Sequence, residues 1–186
     1  MNKVLYLIGS LRNKRVPELA QRLRKELPDV EIFDDWYSAG FEADDMWKSY
    51  ELARGRGYQE ALDGYAAKHV WEFDKRHLDR SSHVLLVLPA GKSGHMEVMY
   101  GRYGVRAETA ILLDPEDCRW DVMYQFIPTI LSSDGEIAGW INKDKLSGEN
   151  VGRGSIETTT GISHKQITKA EADTLFELTT RGRLYP

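Results

Sequence analysis

His83-Val84-Leu85-Leu86-Val87-Leu88, running into Pro89-Ala90-Gly91-Lys92-Ser93-Gly94-His95-Met96-Glu97, is the stretch that decides the fold. An unbroken aliphatic run of this length reads as a strand buried on both faces, and the Gly-rich segment after it reads as a turn into a helix. In open α/β sheets such turns lie at the carboxyl edge, where ligands bind and where helix N-terminal N–H groups favour anions. Glu97 is therefore a candidate reactive carboxylate. The plainer reading is an acidic residue favoured in a first helical turn by the helix dipole. Gly91-Lys92-Ser93 resembles the end of a phosphate-binding P-loop, but Leu86 stands where that motif requires glycine. Ser93 is followed directly by Gly94, which also excludes a nucleophile elbow.

The same alternation extends in both directions. Val4 to Ile8 reads as a buried strand, and Pro17 to Leu27 as a helix with Leu19, Leu23 and Leu27 at helical spacing. Val30 to Phe33 is a short second strand. Trp47 to His69 is helical in composition, interrupted around Gly55-Arg56-Gly57 and Gly64, and a further helix is expected from Val70 to Arg80. After the His83 strand come a helix over about His95–Tyr103, a strand over Thr109–Leu113, and a helix over Trp120–Leu131. Strands alternating with helices imply a Rossmann/flavodoxin-like, doubly wound parallel sheet of four to five strands with helices on both faces. Beyond Leu131 the pattern changes to turn residues, a Gly- and Thr-rich stretch and a last capped helix from Thr168 to Thr180. The expected division is an α/β domain over 1–131 and a small appendage over 132–186.

Composition narrows the function classes. The net charge is −4, from 29 acidic and 25 basic side chains, with no like-charged block, so a duplex nucleic-acid binder is not expected. No apolar stretch approaches the roughly 20 residues of a membrane span, and Gly9-Ser10-Leu11-Arg12 cuts short the first apolar run, so a cytoplasmic protein without a membrane partner is expected. A single cysteine, Cys118, leaves no internal disulfide and no metal cluster.

Three polar loops follow the carboxyl ends of expected parallel strands, and parallel topology brings them to one sheet edge. Gly9, Ser10, Leu11 and Arg12 offer backbone N–H groups, a hydroxyl and a guanidinium for a phosphate or carboxylate. Asp35 and Trp36 offer an acceptor and an aromatic face for a heterocyclic base. Ser93, Gly94 and His95 lead to Glu97. Tyr6 stands near the end of the first strand, where it either reaches over a bound base or belongs to the core. Together these describe a site for a small nucleoside or nucleotide.

Tyr6-Leu7-Ile8-Gly9-Ser10-Leu11-Arg12, the acidic-aromatic loop after the second strand, an Asp on the helix before the third, and Ser-Gly-X-X-Glu opening the helix after it resemble the nucleoside 2-deoxyribosyltransferase superfamily, which includes deoxynucleoside 5′-monophosphate N-glycosidases. The resemblance covers about residues 1–130. It implies cleavage of the bond between base and sugar, with Glu97 attacking C1′ and a glycosyl-enzyme passing its sugar to water or to a second base. A carboxylate suits that task because it stabilises an oxocarbenium-like transition state before closing to an ester. Glu97 must then be ionised, and N–H groups at the helix start are expected to keep its pKa from rising. Asp74 is the candidate to assist the departing base, with Asp79 a competitor and a surface pair with Lys75 or Arg76 the plainer reading. Neither metal nor organic cofactor is required. The resemblance further implies a homo-oligomer, with Tyr185 able to complete a neighbour's site.

The chain departs from the transferase pattern in having Pro89-Ala90-Gly91, and no acid, between Leu88 and His95. A non-catalytic nucleotide-binding sensor or adaptor therefore stays open beside the enzyme, as does a weaker reading of Mg²⁺-dependent phosphate chemistry on Lys92 and Ser93.

Overall fold

The computed structural model describes residues 3–114, 116 and 121–146, with side chains to residue 143. Five strands, β1 (Lys3–Ile8), β2 (Val30–Phe33), β3 (His83–Val87), β4 (Glu108–Leu112) and β5 (Thr129–Leu131), form one sheet in the order β2-β1-β3-β4-β5. Every neighbouring pair is parallel. The expected doubly wound α/β fold is thus present. Chain direction across the sheet reverses between β1 and β3, and this switch point opens a crevice at the carboxyl edge.

Side chains of successive strand residues point to opposite faces, so β1 divides its own residues between two cores. Leu5 and Leu7 pack with Val16, Leu19, Ala20 and Leu23 of helix α1 (Arg15–Glu26), a stripe at helical spacing. Tyr6 and Ile8 pack on the other face with Leu78 of α4 (Tyr65–Asp79) and Val98 of α5 (Lys92–Tyr100). Helices α2 (Ala43–Ala53) and α3 (Tyr58–Leu62) intervene between β2 and α4, separated at the expected glycines; α4 begins at Tyr65 rather than at Val70.

Two expectations are corrected here. The described part of the Trp120–Leu131 helix is instead a short 3-10 turn, Val122–Phe126, followed by β5. Pro128 explains the difference: it lacks an N–H, clashes with a preceding helical turn, and drives the residue before it extended, as Ile127 is at φ −103°, ψ 124°. Second, α5 starts at Lys92, capped by an extended Gly91, rather than near His95. Glu97 therefore sits beyond the first turn.

The first compact unit extends past residue 132, so the boundary expected there falls inside it. Helix α6 (Glu136–Leu146) contributes Ile137, Trp140 and Ile141 to the α1 face of the core. The remaining stretch of the expected appendage, including the Thr168–Thr180 helix and Tyr185, lies outside the described residues, as does Cys118.

Candidate functional site

The switch-point crevice is a cleft of about 320 Å³ lined by Ser10, Arg12, Asn13, Pro89, Ala90 and Gly91. Its two walls are the β1–α1 and β3–α5 loops. Gly9 lets the first loop turn tightly against α1, because a Cβ there would lie 2.6 Å from Val16 Cγ2. The Ser10 hydroxyl accepts from the Arg12 N–H at 3.2 Å, and the half-buried Leu11 occupies the turn between them. Asn13 joins the walls: its amide Nδ2 donates to Pro89 O at 3.2 Å and more weakly to Val87 O at 3.5 Å, while Oδ1 accepts from Arg15 N. Arg12 extends toward solvent and pairs with Asp45 at 3.1 Å.

A second constellation is built on the β1 face that carries α4 and α5. Glu97 from α5, Asp74 from α4 and Tyr6 from β1 interact there. Burial pushes the Glu97 carboxyl up to about 8, with the nearby Asp74 charge adding to the effect. Burial likewise raises Asp74 to about 6, opposed by its interaction with the Tyr6 hydroxyl. The Tyr6 pKa is raised by its own burial and then by the charges of Glu97 and Asp74. Tyr6 is 0 % exposed and stacks on Phe33 at 4.9 Å. Although the hydroxyl lies within interaction range of Asp74, neither Tyr6 Oη nor Asp74 Oδ1 completes a hydrogen bond of good geometry. Unsatisfied buried polar atoms carry a desolvation cost that an incoming donor or acceptor relieves.

The expectation that helix-start N–H groups hold the Glu97 pKa down is overturned. Glu97 lies in the second turn of α5, past the N–H groups that end the helix, and desolvation beside a like charge dominates. Asp74, not Asp79, is the acid that acts on Glu97. Asp79 is exposed, pairs with Lys75 at 2.5 Å and accepts from Tyr100 Oη at 2.7 Å. Neither Glu97 nor Asp74 is among the residues lining the cleft.

The other site residues expected from sequence separate into packing and solvent positions. Trp36 is half-buried, donates from Nε1 to Leu7 O at 2.7 Å and packs against both cores. Asp35 is exposed, as is Ser93. Gly94 is buried, where a Cβ would lie 2.9 Å from Ile8 Cγ2; the missing side chain is what lets α5 approach the sheet. His95 Nδ1 donates to Gly91 O at 2.8 Å, so in the neutral ring Nε2 accepts from the Tyr124 hydroxyl at 3.1 Å. That pair ties the start of α5 to the turn before β5.

Sequence reasoning gave no role to Asn13, Asp34 or Tyr124. Asp34, nearly buried, pairs with Arg24 and fixes the end of β2 on α1. An Asn four residues past the glycine that follows β1 was a readable signal for a loop clamp. Nothing local in the sequence pairs Tyr124 with His95, 29 residues away.

Among the described residues no group of three or more His, Cys, Asp or Glu side chains is arranged to hold a metal ion, and no helix is long and apolar enough to cross a membrane. No protein-family model matches the chain, and no curated protein matches it.

Proposed function

We propose that the protein cleaves the N-glycosidic bond of 2′-deoxynucleosides or their 5′-monophosphates, using Glu97 and Asp74 as a carboxylate pair. The observation that carries this reading is the coupling of two half-buried carboxyls with raised, separated pKa values near 8 and 6, one of them on the helix that the cleft-lining Gly91 caps. Pairs whose environments push their pKa values apart are how one site holds an acid and a base together. Glu97 also lies six residues past the cleft-lining Gly91, about 9 Å of helical rise, which is nucleotide-sized.

In the empty site near pH 7 the pair holds one proton, resident on Glu97, with Asp74 ionised. On substrate binding that proton passes through Asp74 to the ring nitrogen of the departing base. Glu97, now ionised, forms the ester bond to C1′ as the C1′–N bond breaks, and the base leaves with the proton. Asp74 then takes a proton from water as the hydroxyl bonds to C1′ and the Glu97 ester opens. The proton returns to Glu97, and one water has been consumed per bond cleaved. A second base in place of water makes the same site a transferase. The residues of the mechanism call for no metal or organic cofactor, and the task suits a cytoplasmic enzyme of nucleotide metabolism.

A homo-oligomer is part of this proposal. It is supported by exposed apolar side chains beside the pair's helices, including Trp71, Met96, Tyr103 and Met123. Light scattering at working concentration tests it, and a monomer removes it.

The deciding experiment is chromatography of free base after incubation with each deoxynucleoside and each 5′-monophosphate, with and without an acceptor base, beside Glu97→Ala. Base release that requires Glu97 supports the reading; full activity in Glu97→Ala refutes the nucleophile assignment. Tight nucleotide binding without any release favours the sensor or adaptor.

A further inference from the structure

Among the described residues Arg12 is the only cationic one in the lining of the cleft, and its charge is already engaged. Its Nη2 donates to Asp45 Oδ2 at 3.1 Å, across 33 residues of sequence, and the two side chains are 58 % and 73 % exposed. An exposed pair of this kind is weakly held and exchanges partners readily. Asp45 lies in the first turn of α2, where the helix dipole favours a negative charge whether or not Arg12 is present. Asp45 therefore gives Arg12 up at small cost. Any phosphate or carboxylate that enters the cleft meets a guanidinium neutralised by an internal carboxylate and must compete for it.

We infer that Asp45 is a specificity-determining residue: a built-in anion that competes with ligand phosphate for Arg12 and so sets how strongly the cleft prefers charged over uncharged nucleosides. The inference rests on the proposed nucleotide site. In the resting protein Asp45 discounts every anionic ligand by the strength of the Arg12 pair, and uncharged nucleosides are not discounted. Selectivity thus depends on a competition for one guanidinium that only the anionic ligand enters.

The test is isothermal titration of inorganic phosphate into the full chain and into Asp45→Asn, at low and high salt, with Arg12→Ala and the double variant beside them and circular dichroism to confirm folding. Asp45→Asn is expected to bind phosphate about two- to fivefold tighter at low salt. The gain shrinks at high salt and is absent in the Arg12→Ala background. Unchanged or weaker binding in Asp45→Asn, a gain that survives removal of Arg12, or no saturable binding by Asp45→Asn overturns the inference. Phosphate binding is read without turnover, so it can fail while base release succeeds, and base release can fail while it holds. Where base release is measurable, Asp45→Asn also raises the kcat/KM ratio of a deoxynucleoside 5′-monophosphate to the same deoxynucleoside by a similar factor.

Discussion

Asp74 on α4 and Glu97 on α5 lie close enough on one buried face of the sheet for the Asp74 charge to act on Glu97. Two carboxyls in that relation do not titrate independently, and the proton they share belongs to the pair. With one macroscopic step near pH 6 and the other near pH 8, the singly protonated pair predominates only between them. The proposed mechanism uses that form alone. Base release is therefore expected to follow a bell-shaped pH profile in kcat/KM, centred near neutrality. Below the lower step Asp74 is protonated and no base remains; above the upper step the proton for the leaving group is gone. A profile that keeps rising through pH 9 removes the shared proton from the mechanism.

The same pair makes stability depend on pH. Both folded-state pKa values are raised, so between the unfolded value of Glu97, about 4.5, and its folded value, about 8, the native state binds more protons than the unfolded one. Native stability is then highest below that window and falls as pH rises through it. Glu97→Gln removes the group that must ionise. The variant is expected to be more stable than the parent at pH 8.5, by on the order of 3 kcal/mol, with the difference nearly gone at pH 4.5. Urea denaturation at the two pH values measures it. Equal stabilities at pH 8.5 contradict the desolvated environment of Glu97.

Much of this arrangement is legible in the sequence, for identifiable reasons. Strands buried on both faces leave unbroken aliphatic runs, so β1 and β3 are plain in Val4–Ile8 and Val84–Leu88, and α1 shows its buried stripe at Leu19 and Leu23. The three-residue β5 leaves too short a signature, and its neighbour Pro128 was the better clue. Glu97 stands out in the sequence from its place after β3, and Asp74 only through the family resemblance. Their protonation was not readable, since a pKa depends on burial and on a partner 23 residues away. Trp36 and His95 were legible as chemistry but are committed to Leu7 O, Gly91 O and Tyr124, bonds that only tertiary structure makes.

Gly94 offers a test of packing rather than of chemistry. A methyl there would sit 2.9 Å from Ile8 Cγ2 and 3.2 Å from Leu86 Cδ1, both buried in the sheet. Gly94→Ala gains helix propensity of about 1 kcal/mol but pushes α5 off the sheet, and overpacking of this kind costs about 1–3 kcal/mol. A net destabilisation of up to about 2 kcal/mol by denaturant titration is expected. Because α5 carries Glu97, base release falls more than stability does. A variant as stable and as active as the parent shows that α5 does not need its close seat.

Tyr6 separates a structural role from one in proton handling. Its hydroxyl is buried, does not complete a good hydrogen bond, and opposes the rise of the Asp74 pKa. Removing a poorly satisfied buried hydroxyl while keeping the ring on Phe33 is close to neutral for folding. Tyr6→Phe is therefore expected to stay within about 1 kcal/mol of the parent in stability. Without the hydroxyl Asp74 loses the interaction that lowers its pKa, so the acid limb of the pH profile moves upward while the alkaline limb moves less. A residue that only fills the core leaves the acid limb where it is. The shift of that limb, read on a variant of nearly parental stability, assigns the Tyr6 hydroxyl to the control of Asp74.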